Sequence, residues 1–144
     1  MRAEPFRILL VEDNSADVYL LQKALEGADL NFELTVIDDG GSALEFVRGY
    51  GKYSDRAVPH LAVIDLSLPK NDGIQVLEAI RATERFASMP VIVMSSSTRP
   101  PARLREEHLR VARYIPKPPD LEEFLRTGIV IKELLESEAR SAGQ

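Results

Sequence analysis

Several residue types and patterns are absent from this chain of 144 residues, and each absence removes a class of function. It contains no cysteine, which excludes disulfides, zinc–thiolate sites, iron–sulfur clusters and cysteine nucleophiles. No apolar run approaches the length of a membrane span, and no charged-then-apolar leader precedes residue 8, so we expect a cytoplasmic protein without a membrane partner. The formal charge of −5 provides no strong positive field for phosphates, so we expect no nucleic-acid partner.

The composition that remains is typical of a folded globular domain. Hydrophobic residues make up 44% and charged residues 28% of the chain, which argues against disorder. The length suits one domain with a hydrophobic core, and we find no internal repeat or linker. We expect the domain to span residues 1–136 and a flexible tail to follow at residues 137–144.

Short apolar segments alternate with amphipathic segments along the chain. The predicted strands lie at residues 6–11, 32–36, 61–64, 91–94 and 111–115. The predicted helices begin near Ser15, at a capping box formed by Ser42 and Glu45, after a turn at residues 69–73, near Pro100 and after Asp120. Such alternation is typical of an α/β fold in which a five-stranded parallel, doubly wound sheet carries five helices on its two faces.

Polar groups follow four of the predicted strands. Ligands of open parallel sheets bind beyond the carboxyl ends of the strands, so groups at those ends are candidates for a common site. Three are carboxylates, two are hydroxyls and one is an ammonium. In strand order they are Glu12, Asp13, Asp65, Ser95, Ser96 and Lys117.

The carboxylates need a counter-charge if they lie together. Two unit charges about 4 Å apart repel by about 4 kcal/mol at an effective dielectric constant of about 20. Oxygen ligands without His or Cys favour Mg²⁺ or Mn²⁺ over zinc or copper. A carboxylate beside such a cation, the Lys117 ammonium and a hydroxyl donor can attack a phosphoryl group and stabilise the acyl phosphate. Asp65 is the best nucleophile candidate, because it ends the central apolar strand. Glu12 or Asp13 alone would more simply be explained as an acid near a helix start.

Several sequence blocks together resemble the receiver domain of bacterial two-component response regulators. They read ILLVED at 8–13, VIDLSLP at 63–69 with DG at 72–73, PVIVMS at 90–95 and YIPKP at 114–118. The resemblance covers residues 6–136 and implies the flavodoxin-like strand order 2-1-3-4-5. It implies a signalling protein that is not an enzyme, apart from its own phosphorylation and dephosphorylation.

The resemblance implies specific roles for the acidic residues. Asp65 would accept the phosphoryl group from a phosphohistidine of a sensor histidine kinase. Glu12, Asp13 and Asp65 would bind Mg²⁺ together with the backbone carbonyl of Ser67. Glu12 stands where the family commonly has aspartate, a change that keeps the carboxylate.

The resemblance also implies a group that senses the phosphoryl group. Ser95, with its neighbour Ser96, would bind the phosphoryl oxygens, and Lys117 would pair with them. Tyr114 would be the switch aromatic whose rotamer follows Ser95. The Lys117–Pro118 peptide bond would be cis, a form that X–Pro bonds permit at modest cost.

Two stretches, 49–59 and 117–124, are similar to those of small stand-alone regulators paired with phytochrome-type histidine kinases. Since the chain ends after the last predicted helix, we expect no output domain and therefore action through a protein partner or a phosphorelay. A homodimer through the fourth and fifth helices is predicted from the apolar run at 129–131. Gly128 is expected to permit close packing against the sheet or the dimer mate. The signal, the downstream target and the lifetime of the phosphoryl group are not predicted.

Two other functions are alternatives to a receiver domain. A flavodoxin-like cofactor-binding protein would need a hydroxyl- and glycine-rich phosphate loop after the first strand, where this chain has acids. A Mg²⁺-dependent aspartyl-phosphate phosphatase resembling the haloacid dehalogenases would need a second acid two residues after Asp13, where Ser15 stands.

Five arginines near the predicted fourth helix and fifth strand have two open interpretations. They could form an output surface, or a solvated face paired with Glu106 and Glu107. These arginines are Arg99, Arg103, Arg105, Arg110 and Arg113.

Overall fold

A parallel sheet of five strands forms the centre of the computed structural model, which describes residues 4–69 and 72–142. The strands are β1 (Phe6–Val11), β2 (Phe32–Ile37), β3 (Leu61–Asp65), β4 (Val91–Ser95) and β5 (Arg113–Pro116). The helices are α1 (Ser15–Gly27), α2 (Gly40–Arg48), α3 (Asp72–Ala82) and α4 (Leu121–Ala142). The strand order β2-β1-β3-β4-β5 confirms the predicted topology.

Helices cover both faces of the sheet. Leu9 of β1 belongs to a core with α2 and α3, on what we call the α2/α3 face, whereas Ile8 belongs to a core with α1 and α4, on the α1/α4 face. Every residue of β3 and β4 is buried, as expected for parallel strands that are covered on both sides. β5 lies at the sheet border, where Pro116 is tolerated because no further strand needs its missing N–H.

Local capping residues determine where the helices begin. The Asn14 side chain accepts hydrogen bonds from the Ala16 and Asp17 N–H groups and thereby caps α1. α2 begins earlier than expected, because the cap is Asp39 and not Ser42. The Asp39 carboxylate accepts from the Ser42 N–H at 2.7 Å and from the Ser42 hydroxyl at 2.8 Å. These bonds lower the pKa of Asp39.

The predicted fourth helix does not form, so the described residues contain four α-helices and not five. Residues 96–112, which we call the β4–β5 connection, hold a short 3₁₀ turn at Ala102–Arg105. Leu109 is fully buried, and Leu104 packs against the same core. A spacing of five residues would place them on different sides of an α-helix, so the chain instead extends at Glu106 and takes a left-handed conformation at Arg110 (φ 47°).

The last helix is longer than expected and packs directly on the first. α4 continues to Ala142, beyond the predicted domain end at residue 136, and residues 143–144 of the predicted tail lie outside the described residues. A side chain at Gly128 would overlap the Ala24 carbonyl oxygen, so this glycine permits close contact with α1. The sheet, one of the two expected partners of Gly128, is not the contact that requires a glycine; the other, a dimer mate, stays a prediction. No helix in the described part of the chain is both long and apolar enough to cross a membrane.

Candidate functional site

The carboxyl ends of β1 and β3 bring three acids together. Val11 pairs with Ile64 in the parallel register, so Glu12 and Asp13 leave β1 beside Asp65 at the end of β3. One carboxylate oxygen from each acid lies within 4.8 Å of the others. Glu12 and Asp65 are buried and Asp13 is exposed. The structure therefore assembles the predicted acids into one group, which we call the three-carboxylate group.

Backbone groups orient the two buried acids. The Asn14 N–H donates to Glu12 Oε2 at 3.2 Å, and the Ser67 N–H donates to Asp65 Oδ1 at 2.8 Å. Gly73 at the start of α3 lies so close to β3 that a β-carbon there would be 2.7 Å from the Asp65 carbonyl oxygen. The glycine next to Asp72 in the sequence motif thus lets α3 begin directly beside Asp65.

Burial makes Glu12 hard to ionise. Desolvation, followed by the hydrogen bond and the negative charge of Asp65, raises the pKa of Glu12 to about 7. The Asn14 N–H and the charge of Lys117 offset this only in part. A cation at the three-carboxylate group would relieve the same repulsion. All donors are hard oxygens, and this set fits Mg²⁺ or Mn²⁺.

Lys117 reaches this group from the end of β5. Its Nζ lies 3.1 Å from Asp65 Oδ2, 3.2 Å from Glu12 Oε1 and 2.8 Å from Asp17 Oδ2. Burial favours the neutral amine, but the hydrogen bond to Asp17 and the charges of Glu12 and Asp65 outweigh it and raise the pKa of Lys117 above its ordinary value. Lys117 is therefore a positive charge in contact with both buried acids.

The Lys117–Pro118 peptide bond is trans, so the expected cis bond at Pro118 is wrong. The trans form is favoured for X–Pro bonds by about 0.5–1 kcal/mol. No cis form is needed to bring the lysine to the site. The Lys117 N–H donates to the Ser95 carbonyl at 2.7 Å, and this bond beside β4 directs the side chain towards Asp65.

Serines surround the end of β4. Ser95 is buried, and its Oγ accepts from the Ser97 N–H at 3.1 Å. The Ser96 N–H donates to Ser67 Oγ at 3.3 Å, and the two hydroxyl oxygens are also 3.3 Å apart. The segment that carries the predicted phosphate ligands is thus tied to the loop that follows Asp65.

Tyr114 of β5 contacts the beginning of the β4–β5 connection. Its hydroxyl donates to the Ser97 carbonyl at 2.6 Å and approaches the Arg99 carbonyl at 3.3 Å. The ring is half-buried and packs against the α2/α3 core. Ser97 therefore connects Ser95 to Tyr114, because its N–H donates to the Ser95 hydroxyl and its carbonyl accepts from the Tyr114 hydroxyl.

Asp17 is the site residue that sequence reasoning missed. It lies in the first turn of α1, one helical turn after Asp13, and has the shortest contact to Lys117. The position in a first turn is common for acids and gave no reason to link it to β5. Its spacing from Asp13 on a helix that begins at the same sheet edge was the available signal.

Two members of the arginine group have internal partners. Arg103 pairs with Glu78 of α3 and with Glu106. Arg110 donates to the Ala87 carbonyl at 2.5 Å. The Arg103–Glu78 and Arg110–Ala87 contacts attach the β4–β5 connection to α3 and to the segment that follows it, and the Arg103–Glu106 pair matches the interpretation as a face paired with acids.

Comparison with known proteins gives a consistent result. The family model described as "Response regulator receiver domain" matches residues 8–127. The probable methanogenesis regulatory protein FilR2 of Methanothrix harundinacea is 36% identical over 140 residues, which are 97% of this chain and 90% of FilR2. Response regulator Rcp1 of Synechocystis is 34% identical over 122 residues, 85% of this chain and 83% of Rcp1.

Solved structures show the same likeness. The crystal structure of the phosphorylated cyanobacterial phytochrome response regulator RcpA is 34% identical and has a TM-score of 0.82, with 93% of this chain and 96% of RcpA covered. The Mn²⁺-bound form of Rcp1 is 33% identical with a TM-score of 0.78, covering 89% and 92%. These likenesses favour neither the flavodoxin-like nor the phosphatase alternative. Together with the acids at the carboxyl edge of β1 and β3, they establish that the chain belongs to the response regulator receiver domain family of two-component signalling.

Proposed function

We propose that this receiver domain accepts a phosphoryl group on Asp65 in a reaction that depends on a divalent cation. Receiver domains take their phosphoryl group from histidine kinases. The observation that carries the assignment to Asp65 is its placement. It is 2% exposed, belongs to the three-carboxylate group and has the Lys117 Nζ at 3.1 Å from its Oδ2.

Each residue of the site has a distinct part in the proposed reaction. An Asp65 carboxylate oxygen attacks phosphorus, the bond from phosphorus to the donor nitrogen breaks, and an acyl phosphate forms. Glu12, Asp13, Asp65 and the Ser67 carbonyl would hold Mg²⁺ or Mn²⁺, which supplies charge neutralisation for the phosphoryl oxygens when bound. Lys117 pairs with the added negative charge from the opposite side. The phosphoryl donor is the only substrate that we propose.

The proposed signal leaves the site through Ser95. A phosphoryl group adds roughly −1.5 to −2 charge and strong acceptor oxygens. When the Ser95 hydroxyl turns to a phosphoryl oxygen, it loses its bond to the Ser97 N–H. Ser97 in turn holds the Tyr114 hydroxyl, so the β4–β5 connection and the Tyr114 ring change together. The changed surface binds a protein partner.

A phytochrome-type histidine kinase is the proposed donor, since the RcpA structure to which this chain is 34% identical is named as a phytochrome response regulator. A homodimer through α4 and the β4–β5 connection, which stands where the fourth helix was predicted, is proposed on the exposure of Ile129, which is 49% exposed, whereas Ile131 is buried in the core. Sedimentation with and without beryllofluoride, a phosphoryl mimic, is expected to show a dimer in the presence of the mimic. A monomer under both conditions would exclude this assembly.

Intact-mass measurement after incubation with Mg²⁺ and acetyl phosphate tests the proposed acceptor. The parent protein is expected to gain one phosphoryl group and Asp65→Asn none, because the amide is not a nucleophile. Asp29→Asn is the matched control, since Asp29 is exposed in a left-handed conformation that asparagine also adopts. Phosphorylation of Asp65→Asn at this position would show that the assignment is wrong.

Thermal unfolding tests the proposed cation site independently of phosphate. A cation that binds only the folded state raises its midpoint by mass action. The midpoint of the parent is expected to rise with Mg²⁺, and Asp13→Ala is expected to reduce the rise. An equal rise in both proteins would remove Asp13 from the site.

A further inference from the structure

Lys117 has more carboxylate partners than the proposed reaction accounts for. Its Nζ lies within 3.2 Å of Glu12, Asp17 and Asp65 oxygens. Two of these acids belong to the three-carboxylate group, but Asp17 does not, and yet its contact of 2.8 Å is the shortest. The ammonium thus contacts two acids that a divalent cation would also bind, Glu12 and Asp65, and one acid that lies outside the cation site, Asp17.

The position of Asp17 is built into the start of α1. Its backbone N–H donates to the Asn14 side chain at 3.1 Å, as part of the helix cap. Its side chain is 23% exposed, compared with 5% for Glu12 and 2% for Asp65. Asp17 is therefore the most solvent-exposed of the three acids that contact Lys117.

The contacts of Lys117 create a competition for oxygens. A divalent cation at the three-carboxylate group needs oxygens from Glu12 and Asp65, and the Lys117 ammonium now occupies oxygens of both. Two cations close to each other also repel. An acid outside the group can hold the ammonium in place while the buried oxygens turn to the cation.

We propose that Asp17 is a positioning residue for Lys117. It draws the ammonium to the edge of the three-carboxylate group, which frees Glu12 and Asp65 for the divalent cation and keeps Lys117 within reach of a phosphoryl group. This inference rests on the proposed function, because it concerns the same site. Asp17 itself touches neither the cation nor the reacting atoms.

A general charge effect makes a different prediction. If Asp17 acted only as a nearby negative charge, its removal would weaken cation binding whether or not Lys117 is present. If it acts through Lys117, its removal has a large effect only when the lysine is there. A double-mutant cycle separates these two cases.

The experiment measures Mg²⁺ affinity by isothermal titration calorimetry in about 0.15 M salt, where the Debye length is about 8 Å and distant charges are screened. The four proteins are the parent, Asp17→Asn, Lys117→Met and the double variant. Asp17→Asn is expected to weaken Mg²⁺ binding about five-fold in the parent, and less than about two-fold in the Lys117→Met background. Lys117→Gln provides a second background if Lys117→Met does not fold.

Two further variants of α1 sharpen the result. Asp17→Glu keeps the charge and is expected to restore most of the affinity. Glu26→Gln removes a charge from the same helix at an exposed pair with Lys23 and is expected to leave the affinity unchanged.

The outcomes distinguish this inference from the proposed function. Equal losses on Asp17→Asn with and without Lys117 would overturn the positioning role alone. No Mg²⁺ binding by the parent would overturn the proposed function. A loss confined to proteins that contain Lys117 supports both.

Discussion

The α1/α4 face and the α2/α3 face of the sheet are closed by different means. On the α1/α4 face, two helices pack on the sheet and on each other, and Gly128 of α4 lies against the backbone of Ala24. On the α2/α3 face, part of the cover is the β4–β5 connection, where Leu109 is fully buried without a helix around it. Both faces bury apolar side chains, but they differ in how the backbone polar groups of the covering segments are hydrogen-bonded.

A helix pairs its own backbone groups, whereas an irregular segment must take donors from elsewhere. In the β4–β5 connection, the Arg81 guanidinium of α3 donates to the Leu109 and Arg110 carbonyls at 2.7 and 2.9 Å. It also donates to the Ala87 and Met89 carbonyls at 3.1 and 2.6 Å. One side chain thus supplies donors to two carbonyls of the segment that joins Ser95 to Tyr114, and to two carbonyls of the segment that precedes β4.

Among the substitutions that test this difference between the faces, removal of Arg81 is expected to change the free energy of unfolding most. Arg81→Met leaves three carbonyls, those of Met89, Leu109 and Arg110, without their charged donor. The Ala87 carbonyl still accepts from Arg110. The variant is expected to lower the free energy of unfolding by about 3 kcal/mol. Urea unfolding measures the change. Arg103→Met is the matched control, because Arg103 lies in the connection itself and pairs with exposed acids, so no resolvable loss is expected. Equal losses would show that Arg81 does not have this special role.

Glu12 follows β1 at the carboxyl edge of the sheet, between the two faces. Its contribution to the free energy of unfolding depends on pH. Its pKa is about 7 in the folded protein against an ordinary value of 4.5, a difference of about 3 kcal/mol at most. Stability from the protonated form is fully present below pH 4.5 and is lost as pH rises through 7. Without metal, Glu12→Gln is therefore expected to raise the free energy of unfolding at pH 8 by up to this amount and to change it little at pH 5.

Unfolding of Glu12→Gln and its parent in the presence of a chelator at the two pH values measures this effect. The charged groups next to the Glu12 carboxyl are Asp13, Asp65 and Lys117, and all three remain in the variant. Glu33→Gln, a change at an exposed residue of β2, is the matched control and is expected to leave the pH dependence unchanged. If Glu12→Gln were less stable than its parent at pH 8, burial of the ionised Glu12 carboxylate would not be the destabilising factor that we assign.

Gly128→Ala tests the helical cover and is expected to have the smallest effect. The added methyl group would overlap the Ala24 carbonyl oxygen, so α1 and α4 must separate. We expect the free energy of unfolding to fall by about 1–2 kcal/mol, although alanine favours a helix over glycine by about 1 kcal/mol. Ser137→Ala at an exposed position of α4 is expected to be neutral or slightly stabilising. Stabilisation by Gly128→Ala would mean that the helices do not need this close contact.

The sequence by itself determined the sheet and the membership of the three-carboxylate group. The run at residues 61–64 is apolar throughout, so a strand covered on both faces suits it. Parallel strands end at one edge, so acids that follow β1 and β3 meet without any knowledge of the helices between them. These features follow from short-range patterns combined with one topological rule.

Only the tertiary structure decided the cover of the α2/α3 face and the environment of the acids. The apolar pattern of residues 96–112 is too weak to specify a helix or exclude one, and the outcome depends on Leu109 and on an arginine of α3 that is remote in sequence. The contact of Asp17 with Lys117 and the raised pKa of Glu12 depend in the same way on groups from different strands and helices. Burial, dielectric environment and long-range hydrogen bonds are properties of the assembled chain, because they arise only when distant residues exclude water together.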